Sequence, residues 1–143
     1  MKFTIFALLL FSSMGQASEY SDTQLSELKN NWFLTEPKSY SYTLRHGGVF
    51  GYTINRISVR KGTCKARSQF VYGKKHPWKK SKCEGHRIHE LIESVQKQEL
   101  QGVFQSKIKL NSEYNFISYY STEPKTEFTD QDWYFEILSF KAK

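Results

Sequence analysis

Hydrophobic residues near the start of the chain follow a helical pattern. Leu25, Leu28 and Trp32 recur at the spacing of one helix face. Ser21 before them, with a glutamine three residues later, has the spacing of a capping box, and Pro37 is a residue at which helices stop. The pattern therefore predicts one amphipathic helix between Ser21 and Pro37.

Alternation of apolar and polar residues then replaces the helical spacing. From Tyr40 to Leu44 every second residue is apolar, with serine and threonine between, which predicts a half-buried strand. A second alternation runs from Tyr52 to Val59, but its parity switches between Ile54 and Ile57. We interpret this switch as a β-bulge. A lysine-glycine turn then leads into a third strand, which carries Cys64.

The second half of the chain repeats this order. A stripe of four apolar residues predicts a second helix that ends near Gly102: Ile88, Leu91, Ile92 and Val95. Two strands joined by a hairpin turn follow from Ile108 to Tyr120, and Trp133–Phe140 is apolar on both parities, as in a strand covered on both faces. Short gaps between strands favour antiparallel pairing. We expect a single α+β domain over residues 18–143, in the order α-β-β-β-α-β-β-β, with both helices on one face of a mostly antiparallel sheet of five to six strands.

The first 17 residues have the composition of a signal peptide. Lys2 supplies a positive start, Ile5–Phe11 is an apolar run, and Gly15–Ala17 offers small residues at a cleavage site. The apolar run is shorter than the ~20 residues that span a bilayer, and no later segment reaches that length. We expect cleavage after Ala17 and a soluble mature protein in the periplasm or outside the cell.

Export bears on the two cysteines, Cys64 and Cys83. A pair of cysteines in an oxidising compartment usually forms a disulfide, and two thiols alone do not complete a zinc site. The bond would close a loop of about 20 residues and stabilise the fold by roughly 3 kcal/mol. We expect a structural disulfide, with a free thiol pair or a partial metal site as the alternatives.

Positive charge is concentrated in one stretch, Arg60–Arg87, which we call the basic segment. It holds ten basic residues and one acid, while the whole chain has a formal charge of +7. Gln69–Glu84 within it has no clean periodicity, so we expect a long loop pinned at its base by the disulfide. The candidate binding residues are Arg60, Arg67, Lys74, Lys75, Trp78, Lys79, Lys80 and Lys82.

These residues favour a non-enzymatic binding or accessory module. Lysines interleaved with aromatic residues bind single-stranded nucleic acid in some proteins, but an exported protein rarely meets it. An anionic component of the cell envelope or an acidic protein fits the expected compartment better, with Trp78 dipping toward the interface. The alternatives are that the lysines only keep the surface solvated, or that the domain acts through its aromatic sheet, for instance through Tyr119 and Tyr120.

Signals for catalysis and for metal binding are weak, and we expect no cofactor. His89-Glu90-Leu91-Ile92-Glu93 lacks the second histidine of a zinc-protease helix. The helix stripe places His86, Glu90 and Glu93 on the solvent side. The second hypothesis for function is a small envelope hydrolase built from these histidines and carboxylates. The carboxylates between Glu123 and Asp132 fit neither a glycosidase pair nor a calcium loop, and we interpret them as a solvated acidic connection.

Several short segments resemble a known family. The strand Tyr40–Arg45, the turn Val59–Gly62 and the helix start Ile88–Ile92 are similar to segments of a bacterial exported group, domain of unknown function 6174. The resemblance covers roughly Trp32–Phe140 and implies an exported α+β domain with no assigned activity. Members often carry cysteines just after the first strand, where this chain has Gly47–Phe50. The resemblance brings no catalytic residues to this chain.

Overall fold

Two helices and eight strands form the described part of the chain, which in this computed structural model is residues 20–48, 50–102, 105–123 and 133–143. The elements are α1 (Asp22–Thr35), β1 (Ser39–Gly48), β2 (Gly51–Arg60), β3 (Thr63–Tyr72), β4 (Lys74–Lys75), β5 (Lys79–Ser81), α2 (Ile88–Gln101), β6 (Gln105–Leu110), β7 (Ile117–Glu123) and β8 (Trp133–Ala142). The expected signal peptide and most of the acidic connection lie outside the described residues.

All the strands belong to one antiparallel sheet. Its order is β4-β3-β2-β1-β8-β7-β6, and β5 pairs with β3 beside β4. The α+β class and the antiparallel sheet are confirmed, while the element order differs from the expected one in the two short strands, β4 and β5, that lie between β3 and α2. The expected number of strands, five to six, is too low because Gln69–Glu84 is not one long loop: β4 and β5 within it hydrogen-bond to the outer edge of β3.

The helices begin and end where local sequence signals place them. The Ser21 hydroxyl accepts a hydrogen bond from the Gln24 backbone N–H, and the Gln24 side chain accepts one from the Ser21 N–H, which completes the capping box. Gly102 ends α2 with a φ of 77°, a conformation that glycine adopts without steric cost. Neither of the two helices in the described residues is long and apolar enough to span a bilayer.

One hydrophobic core joins the helices to the sheet. It is built around Trp32 of α1, which is fully buried and meets Tyr40, Phe116 and Phe140 edge-on, with ring centroids 5.5–6.0 Å apart. Aromatic rings in this arrangement stabilise a core beyond their buried area. The predicted stripe of α2 packs into the same cluster. Trp133–Phe140 is less covered than expected, since Leu138 is 48% exposed.

The expected bulge between Ile54 and Ile57 is wrong. The pairing of β2 with β1 and β3 runs without interruption through these residues. Ile57 points into the core, whereas Ile54 is half-buried on the opposite side of the sheet. The parity switch therefore marks a change in which face carries the apolar side chains, and β2 itself stays regular.

Cys64 and Cys83 form the expected disulfide. Ala66 pairs with Ser81 and Ser68 with Lys79 in the β3–β5 ladder, so the two cysteines continue the same register by one further pair on that face. Both are partly buried against the core. The disulfide therefore fixes β5 to β3 at the end of their short ladder.

Candidate anion-binding groove

The face of the sheet away from the core carries hydroxyl and cationic side chains at its centre. Cross-strand partners share a face, and Thr43 pairs with Arg56, which pairs with Arg67. On the other side of β1, Ser139 and Lys141 of β8 pair with Thr43 and Ser41. These side chains line a depression of about 390 Å³, which we call the cationic groove, formed by Ser41, Thr43, Arg56, Ser58, Lys65, Arg67, Ser139 and Lys141.

Charge in the groove has one sign. Among the residues that the structure describes, four cationic side chains and no carboxylate line it. The Arg45–Glu136 ion pair lies one cross-strand row beyond Thr43, so Glu136 already has a cationic partner of its own. Among the described residues, none of the groove cations lies within ion-pair distance of an acid. The groove therefore presents unneutralised positive charge beside hydroxyls, which suits an anionic ligand.

A second depression extends the groove toward the end of β2. It encloses about 490 Å³ and is lined by Ser58, Arg60, Thr63 and Lys65. Ser58 and Lys65 belong to both depressions. Arg60, one of the predicted binding residues, therefore continues the cationic surface beyond the groove.

The basic segment lines the groove with Lys65 and Arg67 of β3, and it approaches the groove again through β5 and the residue before it. Lys80 pairs with Arg67 across the β3–β5 ladder and so shares its face. The Arg56 guanidinium lies over the Trp78 ring, with 4.4 Å between Cζ and the ring centroid. Trp78 is half-buried in this contact. Arg56 therefore packs on the Trp78 ring, and the expectation that Trp78 dips toward an interface stays a prediction.

The other predicted binding residues do not line the groove. Lys74 and Lys75 form β4 at the far end of β3, and both are exposed. Lys79 pairs with Ser68, whose hydroxyl donates a hydrogen bond to Asn55 on the core side of the sheet. Lys82 is exposed beyond the end of β5. The structure thus divides the predicted set between two faces and two ends of the sheet.

Three groove cations were missed from the candidate set: Arg56, Lys65 and Lys141. They lie on three different strands, and Lys141 is remote from the basic segment in sequence. A signal for them exists in four short stretches, 41–43, 56–58, 65–67 and 139–141. The alternate residues that bound each stretch are all hydroxyl or cationic: Ser41, Thr43, Arg56, Ser58, Lys65, Arg67, Ser139 and Lys141. Only the strand order shows that these positions are neighbours.

The groups of the hydrolase hypothesis are held in separate structural contacts. Glu90 accepts a hydrogen bond from the backbone N–H of Arg87 at the start of α2, at 2.9 Å. Glu93 pairs with Lys29 of α1 at 3.3 Å, and His89 packs against Phe33. Within the described ranges no three potential metal-ligating side chains gather into a site. These contacts leave no assembled acid, base and nucleophile.

His86 was expected in solvent but is half-buried. Its ring lies 5.2 Å from that of His46, and the Tyr42 hydroxyl donates a hydrogen bond to its backbone carbonyl. Burial, and to a smaller extent the neighbouring His86, lower the pKa of His46 from 6.5 to about 4. His46 is therefore neutral at neutral pH, and its Nε2 atom is buried with no hydrogen-bond partner among the described residues.

Tyr119 and Tyr120 differ in accessibility. Tyr120 is fully buried, and its hydroxyl donates a 2.7 Å hydrogen bond to Glu99 of α2. Tyr119 is half-buried beneath the Lys109 ammonium group. Tyr120 is therefore a core residue and does not contribute to a contact surface.

Comparison of the chain with models of protein families, with curated proteins and with solved structures shows no match. The resemblance to domain of unknown function 6174 stays a prediction.

Proposed function

We propose that this protein is an exported, non-enzymatic binding module that holds a phosphate-bearing ligand of the cell envelope in the cationic groove. One observation carries the proposal: four cations and four hydroxyls from four strands line one depression, with no carboxylate among its described lining residues. Arginine binds phosphate oxygens through paired N–H donors, and hydroxyls supply further donors and acceptors. The extension toward Arg60 gives the surface room for more than one phosphate group.

A regular sheet also suits this role because it holds the cations in fixed register. Arg56 and Arg67 are direct cross-strand partners, and the disulfide fixes β5 beside them. Preorganised side chains lose less conformational entropy when a ligand binds. The shared chemistry is a phosphate group, whether it belongs to a lipid head group or to a phosphorylated glycan.

Isothermal titration with inorganic tripolyphosphate tests the proposal. Lys65→Ala with Arg67→Ala removes two groove cations and should weaken binding by about tenfold or more, since a hydrogen bond to a charged group contributes roughly 1.5–3 kcal/mol. Lys97→Ala with Lys107→Ala removes the same charge from exposed positions outside the groove and is the matched control. Binding should also fall at roughly 0.5 M salt, where charges are screened beyond a few ångströms.

Equal losses in the two double variants would show that net charge alone attracts the ligand, and would contradict a groove site. Absence of binding at low salt would also contradict it. If the groove variant alone loses binding, de-acylated lipopolysaccharide and phosphatidylglycerol vesicles, each titrated separately, distinguish a glycan phosphate from a lipid head group. His89→Ala should change none of these affinities, because His89 lies on α2 and not in the groove.

A further inference from the structure

A second surface lies at the end of the sheet where the β1–β2 turn meets the β3–β4 turn. Three large side chains are exposed there: Phe50 by 67%, Phe70 by 44% and Tyr72 by 61%. We call these residues, together with Lys74 and Lys75 of β4, the aromatic corner. No residue of this corner lines the cationic groove.

The backbone brings the corner residues together. A Cβ built on Gly51 would lie 3.2 Å from the Cβ atom of Tyr72, so the residue after Phe50 is in contact distance of Tyr72. Tyr72 pairs with Lys74 in the β3–β4 ladder. Phe70 lies two residues back along the same strand, so its side chain projects from the same face as that of Tyr72.

The chemistry of the corner is aromatic and cationic. The two segments that form it, residues 46–53 and 70–78, contain no acidic residue. Large exposed apolar patches rimmed by polar groups mark contact sites, since leaving them in water is unfavourable. Aromatic rings are favoured in the interfacial zone of a bilayer, and each lysine near an anionic membrane surface contributes about 1 kcal/mol of attraction.

We propose that the aromatic corner inserts into the interface of a bilayer that contains anionic lipids. Phe50, Phe70 and Tyr72 enter the boundary between head groups and acyl chains, and Lys74 and Lys75 engage the lipid phosphates. Charge complementarity selects this occupant. The exposed Lys74 pairs with Tyr72 and so shares the face of the Phe70 and Tyr72 rings, Lys75 follows it, and the two segments that form the corner contain no acidic residue. The inference does not rest on the proposed function of the groove, because the two surfaces share no residue.

Vesicles of phosphatidylcholine, with and without phosphatidylglycerol, test the inference. In Phe50→Trp the added indole should shift its emission to the blue on binding to the anionic vesicles, and brominated lipids should quench it. Leu100→Trp is the matched control, since Leu100 is 74% exposed at the end of α2. A shift and quenching in both variants would indicate non-specific adsorption and would overturn the inference.

Co-sedimentation gives an independent measure of the same contact. Phe50→Ser with Tyr72→Ser should weaken vesicle binding by roughly tenfold or more, because two exposed rings no longer leave water. Leu34→Ser with Leu100→Ser removes two more exposed apolar side chains elsewhere and should leave binding unchanged. Lys74→Ala with Lys75→Ala should weaken binding only to the anionic vesicles.

Two outcomes would assign the surfaces differently. If Lys65→Ala with Arg67→Ala abolishes the quenching of Phe50→Trp, the groove makes the membrane contact and the inference is wrong. If the wild-type protein does not bind vesicles but forms a dimer that Phe50→Ser with Tyr72→Ser dissociates, the corner binds a second copy of the chain. If tripolyphosphate does not bind but brominated lipids still quench Phe50→Trp, the proposed function of the groove is refuted and the inference about the aromatic corner is not.

Discussion

The Arg56 guanidinium lies 4.4 Å from the centre of the Trp78 ring, and this contact joins the middle of the sheet to the basic segment. Arg56 belongs to β2 and Trp78 immediately precedes β5, two strands that are separated by β3. The ring thus supports a groove cation from the side. Stacking on an aromatic face restricts the guanidinium, which would otherwise sample many rotamers.

Removing this ring should weaken the groove. Trp78→Ala is expected to lower tripolyphosphate affinity by about threefold to tenfold, because a cation–π contact contributes roughly 0.5–1 kcal/mol when exposed and more when desolvated. Trp78→Phe keeps a ring at this position and should retain most of the affinity. Titration calorimetry measures both variants. If Trp78→Ala and Trp78→Phe lose the same affinity while their thermal unfolding midpoints are unchanged, ring stacking has no role in binding.

The disulfide should stabilise the fold measurably. Replacing both Cys64 and Cys83 with serine is expected to lower the free energy of unfolding by roughly 3 kcal/mol, because the crosslink limits the unfolded chain. Denaturant unfolding of the oxidised and reduced wild-type protein should show the same difference. The double variant is the control, since reductant should not change its midpoint. Identical midpoints for oxidised and reduced wild type would contradict the prediction.

His46 should make stability depend on pH below neutrality. Its pKa is lowered from 6.5 to about 4 in the folded state, so the unfolded state binds more protons between these values. The neutral ring is favourable above pH 6.5, and its contribution is lost as the pH falls toward 4. The free energy of unfolding should therefore fall by up to about 1.5 kcal/mol between pH 6.5 and pH 5.

His46→Phe should reduce this pH dependence, whatever its stability at neutral pH. The quantity to compare is the difference in unfolding free energy between pH 7 and pH 5, measured for both proteins by denaturant titration. His76→Phe is the control, because His76 is exposed and lies away from His46. An unchanged difference in His46→Phe would show that other groups cause the acid sensitivity.

Helices and strand faces were predictable because their signals are local. The capping box at Ser21, the stripe through Trp32 and the glycine at position 102 each depend on neighbours within one or two turns. The alternation from Tyr40 to Leu44 likewise matches its burial pattern. These elements could be placed from the sequence, with their buried faces.

The groove and the basic segment depended on strand order, which local patterns do not specify. Lys141 and Lys65 share the groove only because β8 and β2 both pair with β1. The short strand β5 cannot be recognised in the sequence, because three residues carry too little periodicity to distinguish a strand from a loop. The change of face between Ile54 and Ile57 has a similar cause. Which face of β2 is buried depends on segments that are distant in sequence, so the local pattern alone predicts a bulge that is not there.

Strand β8 pairs with β1 on one side and with β7 on the other. Tyr40 near the start of the described chain therefore lies opposite Ala142 near its end. Without β8, strands β1–β5 and the β6–β7 hairpin would be separate parts of the sheet, and β1 and β7 would each have an unpaired edge. Contacts between residues so distant in sequence slow folding, because the entire intervening chain must be brought together before β1 and β8 can pair. We therefore expect the sheet to be completed late in folding, an order that suits a chain expected to be exported before it folds.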